Sequence, residues 1–357
     1  MNKRRFALLL IVGIIFSSCI ACLNSTIGQT NTIKETPAKV ATAITENLDN
    51  PASKDFRIVV ISDLNSQYGS IEYDPEVEQA IALIPQWQPD LVLCSGDMIA
   101  GQKSTLTQSQ IEAMWAAFDG HITAPLRKNN LPFGFTIGNH DGSGAIVNGK
   151  SVFENERELA KAYWNHIKSD LSLNFVDQAN FPFYYSFKDH DIFFLVWDAS
   201  TDKISSEQLA WVTETLASKA AKQAKMRIAI GHLPLYAIAE AKNKPGEYLA
   251  EAEKLRSLLQ QNQVHTYISG HHHAYYPGKK GQLELLHAGA LGQGARQLIG
   301  SNLPPRKTIT VVDIEIATAH TVYTTYDLET LETIELQELP SFITGNNGMI
   351  IRRDLKK

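Results

Sequence analysis

The chain has 357 residues, 44% of them hydrophobic and 20% charged, with 22 glycines and 14 prolines. That composition excludes a disordered or fibrous protein and is ample for a packed core. A formal net charge of -5, with no long Lys/Arg run beyond the first residues, excludes a dedicated nucleic-acid surface of the strongly basic kind.

The predicted elements begin with an export signal over residues 1–22. Lys3, Arg4 and Arg5 precede an apolar run from Phe6 to Phe16, followed by small residues and by Cys19 and Cys22. Phe16-Ser17-Ser18-Cys19 resembles a bacterial lipobox, and Ala21-Cys22 is a second candidate for lipidation; the alternative is an uncleaved anchor, because the apolar stretch through Leu23 is just long enough for a short span. The expected setting is periplasmic or extracellular, with the membrane touched only through this N-terminal lipid or anchor. Residues 23–54 are rich in Thr, Asn, Ala and Lys, contain Pro37 and Pro51, and lack aromatics, which reads as a flexible linker. Cys94 is the one cysteine beyond the signal, so a processed domain has no internal disulfide and must be held by core burial.

From residue 55 to residue 357 a single domain is expected. Apolar runs of strand length occur at Phe56 to Ile61, Leu91 to Cys94, Phe133 to Ile137, Ile192 to Trp197, Arg227 to Ile230 and His265 to Ile268. Amphipathic stretches separate them. Asp74 is expected to cap, and Pro75 to open, a helix with Val77, Ala80, Ile81 and Ile84 at helical spacing. Ser205-Ser206-Glu207-Gln208 has the form of a capping box before Leu209, Val212 and Leu216, and another helix is expected from Tyr248 to Gln261. Thr308 to Ile316 and His320 to Tyr326 read as a hairpin. The fold class is α/β, a four-layer α/β/β/α sandwich of two mixed sheets.

Five short polar clusters each follow an apolar run directly: Ser62-Asp63-Leu64-Asn65, Gly96-Asp97-Met98, Gly138-Asn139-His140-Asp141, Gly231-His232 and Gly270-His271-His272-His273. Taken singly, a strand-ending Asp is a helix cap, Gly-Asn a turn and a lone His a surface residue. Five strand ends delivering carboxylate, carboxamide and imidazole groups to one rim make a metal site the economical explanation.

In this order the clusters resemble the calcineurin-like metallophosphoesterase superfamily, from about Phe56 to Gly294. Phe183-Tyr184-Tyr185-Ser186-Phe187 and the run Phe193 to Ser200 resemble the branch that includes the purple acid phosphatases. The resemblance implies two divalent metal ions, Mn, Fe or Zn, one held by Asp63, Asn65, Asp97 and His273 and the other by Asp97, Asn139, His232 and His271. It implies phosphate mono- or diester hydrolysis through attack of a metal-bridging hydroxide on phosphorus. His140 would then serve the leaving group, Asp141 would orient its ring, and His272 would point away. Two positions depart from the pattern. Where most members carry His this chain has Asn65, whose carboxamide oxygen is a harder and weaker ligand than imidazole and favours Mn or another oxygen-preferring metal, and Ala100 stands where the purple enzymes place the tyrosine that ligates ferric iron, so no purple colour is expected.

The Gly289 to Arg296 segment is glycine-rich, and Arg296 is a candidate for substrate phosphate, though a plain turn explains the glycines as well. Substrate choice is expected to lie in Gly101 to Leu131 and Gly142 to Pro182, which carry no recognition motif, so small-molecule and lipid phosphate esters both remain open. Asn65 also leaves open a catalytically weak or silent binding protein on the same fold, and two-metal chemistry on a non-phosphate ester is a third reading.

Overall fold

The computed structural model describes residues 51–52 and 54–356; the export segment and most of the expected linker lie outside the described residues. β1 (Phe56–Ile61) leads through α1 (Pro75–Leu83) to β2 (Leu91–Cys94), then α2 (Gln108–Phe118), the short α3 (Ala124–Lys128), β3 (Phe133–Phe135) and α4 (Asn139–Gly142). A small hairpin, β4 (Ile146–Val147) and β5 (Lys150–Ser151), precedes α5 (Glu154–His166), β6 (Asn174–Asn180), β7 (Tyr184–Asp189), β8 (Ile192–Val196), α6 (Ser206–Ala217), α7 (Lys219–Gln223) and β9 (Met226–Ile230). There follow α8 (Ala252–Gln261), β10 (Thr266–Ser269), β11 (Tyr276–Lys280), β12 (Leu283–His287), β13 (Thr308–Glu315), β14 (His320–Asp327), β15 (Phe342–Gly345) and β16 (Gly348–Arg352).

These strands make two large mixed sheets, one ordered β14-β13-β1-β2-β3 and the other β15-β16-β11-β12-β10-β9-β8-β7-β6. In the first, β1, β2 and β3 run parallel; in the second, β8, β9, β10 and β12 do. Every residue of β1, β2, β8, β9 and β10 is buried, which is why these strands read as continuous apolar runs rather than alternating ones: both faces of each sheet are covered. Parallel pairing needs crossovers; α1, α2, α6 and α8 supply them, except between β10 and β12, which are linked through β11. The α/β/β/α class is the architecture found.

Arg57 is the charged exception inside β1. It sits opposite Asp313 of β13, and its Nε and Nη2 donate to the two oxygens of that carboxylate at 2.8 and 3.1 Å. The forked pairing satisfies both ions in a place closed to water. Cys94 is buried and free, and burial raises its thiol pKa well above the ordinary value.

Three local expectations are corrected. Asp74 precedes α1 without a side-chain cap, because its carboxylate is drawn to Lys307 at 2.7 Å. Ser205 caps α6 by accepting from the Gln208 N–H at 3.1 Å, but the reciprocal half of the box is missing: the Gln208 amide bonds the backbone N–H and carbonyl of Asp198 instead. Helix α8 begins at Ala252 rather than Tyr248, since Glu251 has φ 54°, a left-handed turn that interrupts helical propagation. No helix among the described residues is long and apolar enough to cross a membrane.

Candidate metal centre

The C-terminal ends of the parallel strands in both sheets converge on one rim, as open α/β sheets place their sites. From the first sheet, the turn after β1 delivers Asp63, the turn after β2 Asp97, and the turn after β3 Asn139 and His140. From the second, β9 delivers His232 and β10 the run His271 to His273. Glycine permits the approach. A Cβ on Gly138 would collide with the Asp97 carboxylate, and one on Gly270 would stand 2.6 Å from an Asp63 oxygen. Asp63, Asp97, His271 and His273 have φ of 49, 55, 65 and 49°, a region that non-glycine residues enter at a cost of order 1–3 kcal/mol each. Positive φ occurs elsewhere in the fold, but here it falls on four of the candidate ligands at one rim.

Two groups of side chains bring ligand atoms within 4.8 Å of one another: Asp97, His232 and His271 in one, Asp63, Asp97 and His273 in the other. Asp97 belongs to both. Asn139 joins the first group, its carboxamide oxygen 3.0 Å from His232 Nε2; the amide is turned that way because its nitrogen donates to Gln102 at 2.7 Å. Asn65 is buried in the turn beyond Asp63, its backbone N–H directed at the Asp97 carbonyl at 3.3 Å.

Each imidazole is held by one ring nitrogen. His232 Nδ1 donates to the Ser95 carbonyl at 2.8 Å, His273 Nδ1 to the carbonyls of Gln293 and Gly294 at 3.1 Å each, and His271 Nε2 to the Glu247 carboxylate at 2.9 Å. These acceptors fix the tautomers and leave the opposite nitrogen of every ring to the clusters, the arrangement that orients and strengthens histidine ligands.

Electrostatics fit a cation. Asp63 and Asp97 are sealed from water, and among the described residues the basic side chains that face them are histidines: His273 at 3.2 Å from Asp63, His232 at 3.1 Å and His140 at 3.9 Å from Asp97. Burial opposes charge on both carboxylates, yet the histidines outweigh it and hold both pKa values below the usual range. Burial likewise opposes the charge of His232, but the Asp97 carboxylate lifts its pKa to about 9. Burial and the nearby His232 and Lys242 hold His271 well below the ordinary histidine value. A bound cation would supply the compensation that a proton on His232 otherwise gives, so the donor set suits metal ions.

The sequence expectation for Asp141 needs correction. Its carboxylate does not orient the His140 ring; it accepts from four backbone N–H groups, Asp97, Met98, Ile99 and Gly138, at 2.7 to 3.0 Å. It locks the turn that carries Asp97, while burial and the Asp97 charge push its pKa up to about 7 against those donors. The His140 ring is instead held by the Gly101 carbonyl, 3.1 Å from Nδ1, leaving Nε2 toward the clusters. His272 is turned away as expected: Nδ1 accepts from Ile238 and Ala239 N–H, and Nε2 bonds the Glu247 carbonyl.

Arg296 lies beside the centre, its Nη1 3.3 Å from the His271 carbonyl, with burial lowering its pKa and the Asp63, Glu247 and Asp97 charges acting the other way. Glu247, Lys242 and Gln102 have no signal in the sequence. Lys242 Nζ is 2.6 Å from Glu247 and 3.5 Å from His271 Nε2, and Gln102 is anchored through its N–H to Glu156 at 2.8 Å.

The family model for calcineurin-like phosphoesterases matches residues 56–275. Comparison with curated proteins gives no match. Among solved structures, a purple acid phosphatase from yellow lupin (Lupinus luteus) seeds has a TM-score of 0.57 at 15% identity, over 80% of this chain and 53% of that one; the likeness is one of fold, and this chain spans about half the length of the lupin enzyme. Weaker likenesses are to GAP50, the anchor in the inner membrane complex of Plasmodium (TM-score 0.46, 13% identity, 78% of this chain and 87% of that one), and to a phosphoesterase of E. coli (0.34, 12%, 78% and 97%).

Proposed function

We infer that this chain, which belongs to the calcineurin-like phosphoesterase family, is a metal-dependent hydrolase of phosphate mono- or diesters. The observation that carries the reading is the pair of donor clusters sharing Asp97. Their chemistry supports one divalent ion on Asp63, Asn65, Asp97 and His273 and another on Asp97, Asn139, His232 and His271, a mixed oxygen and nitrogen set that suits Mn, Fe or Zn. When bound, such a pair supplies Lewis acidity toward the phosphoryl group and acidifies water at neutral pH.

The remaining work falls to the chain. Asp97 balances charge at the middle of the site. His140, fixed at Nδ1 by the Gly101 carbonyl, presents Nε2 and in its imidazolium form can give a proton to the departing oxygen. Arg296, beside the centre at the His271 carbonyl, is the cation placed to meet a phosphoryl oxygen, whereas the charge of Lys242 is taken up by Glu247. The Lys3 to Cys22 pattern supports an exported setting, with anchoring through Cys19 or Cys22.

Purified protein loaded with Mn is expected to hold two ions per chain by elemental analysis, and to lose hydrolysis of p-nitrophenyl and bis-p-nitrophenyl phosphate on chelation. At most one ion, with activity unchanged by chelation, defeats the reading. Two ions with neither ester cleaved would make the chain a binding protein on this fold.

Glu247 offers a narrower check, because it holds His271 from outside the donor set. Glu247→Ala is expected to weaken the second ion about 10- to 100-fold, the usual cost of losing such a support, with partial recovery in Glu247→Gln. Calorimetric titration with Mn reads this directly, and an unchanged affinity would make the contact incidental.

A further inference from the structure

A cavity beside the clusters has no place in the reaction described so far. We propose that it receives the leaving group, and that the exposed face of Tyr68 stacks against it, so that the preferred substrates release an uncharged alcohol bearing an aromatic or heteroaromatic ring. This rests on the phosphoesterase reading above.

The cavity holds about 480 Å3 and is walled by the loop from Ser66 to Pro75 together with Gln293, within the range of roughly 300–1,000 Å3 typical of small-molecule sites. The loop is the direct continuation of the turn that carries Asp63 and Asn65. Tyr68 is 55% exposed and Ile71 51%, two large side chains left in water on one short loop. The Tyr68 ring lies 5.1 Å from that of His140, centroid to centroid, tilted by 38°. His140 is the residue assigned to the departing oxygen, so whatever departs moves along the Tyr68 face.

The loop is braced for such a role. Gly69 N–H donates to the Ala100 carbonyl at 2.7 Å, the Tyr73 hydroxyl to the Met98 carbonyl at 2.8 Å, and Asp74 pairs with Lys307 at 2.7 Å. A loop braced on both sides of Tyr68 keeps the backbone that carries the ring in place, so less freedom is lost when a second ring stacks on it. Charge narrows the class of ligand. Among the described residues no Lys or Arg lines the cavity, and its acids are Glu72 and Asp74, the second already paired. A leaving group with its own phosphate or carboxylate meets no cation there, whereas the Ser66, Gln67 and Ser70 side chains can hydrogen-bond a neutral one.

The decisive comparison is adenosine 5′-monophosphate against ribose 5-phosphate, which breaks the same type of primary ester bond and lacks the ring. With Mn-loaded protein, kcat/KM is expected to favour the nucleotide roughly 5- to 100-fold, the range that base stacking on an aromatic side chain provides. Tyr68→Ala should bring the ratio to near one, and Tyr68→Phe should keep it. Calorimetric titration of the metal-free protein with adenosine gives a second reading: heat of binding in the wild type and in Tyr68→Phe, none in Tyr68→Ala. A wild-type ratio near one, a ratio untouched by Tyr68→Ala, or phosphocholine preferred over both esters overturns the inference while leaving the phosphoesterase intact. Should no ester be hydrolysed at all, the proposed function fails, and the adenosine titration alone upholds or overturns the stacking site.

Discussion

Asp97→Asn is expected to empty the centre and silence hydrolysis together. Asp97 is the residue common to both donor clusters, so its charge is the one that two neighbouring cations would have to share. Asparagine keeps the size and can still accept the His140 N–H that Asp97 now takes at 2.8 Å, which isolates the charge from the shape. Without that charge, two like ions would repel across the middle of the site, and the pairing of Asp97 with His232 at 3.1 Å would be lost as well. Elemental analysis should fall from two ions to one or fewer. Turnover should fall by more than roughly 10³-fold, since loss of a single electrostatic donor alone costs on the order of 10²–10³. Circular dichroism and thermal unfolding should still report a folded chain, because the four N–H bonds to Asp141 that lock the turn do not involve the substituted carboxylate. A variant that retains two ions and the wild-type rate would remove Asp97 from the shared position and the two-ion reading with it.

What the sequence revealed and what it hid follow from the range of the interactions involved. Asp63, Asp97, His232 and His271 stood out because each lies only two or three positions past the end of a buried strand, and the ends of parallel strands are where such folds gather their sites. The partition of ligands between the clusters was legible only through the family resemblance, since it depends on which turns of two separate sheets face each other. Gly138 and Gly270 make that facing possible, yet a glycine before a polar residue is equally the mark of an ordinary turn. Glu247 and Gln102 were hidden for a different reason. Glu247 reaches His271 from 24 residues away and Gln102 reaches Asn139 from 37, both from irregular chain where periodicity carries no information. Asp141 was legible as part of the site but not in its role: the family resemblance implied a partner for the His140 ring, whereas the one-turn helix α4 aims its carboxylate back at the N–H groups of the Asp97 turn. The missing first turn of α8 belongs to the same class, because the left-handed conformation of Glu251 leaves no trace in helix propensity.

His140→Ala should separate proton transfer from metal binding. The ring is not in either donor cluster; its Nε2 is 3.9 Å from the nearer Asp97 oxygen and its Nδ1 is tied to Gly101. Substitution is therefore expected to leave close to two ions per chain by elemental analysis. Turnover on an alkyl phosphate should drop by about 10²–10⁴-fold, the usual worth of a positioned acid. The size of the loss should depend on the ester. Nitrophenolate leaves as a stable anion and needs no proton, so p-nitrophenyl phosphate should lose far less, while an alkoxide of high pKa cannot leave unaided. A plot of log turnover against leaving-group pKa should accordingly be steeper for the variant than for the wild type. The backbone N–H of residue 140 remains available to Asp97 in the alanine variant, so the position of that carboxylate is preserved and the comparison reports on the ring alone. Parallel plots with equal losses at every pKa would remove the acid role and leave His140 as a stabiliser of charge on the phosphoryl group; a fall in metal content would instead make the ring a support for the ligands themselves.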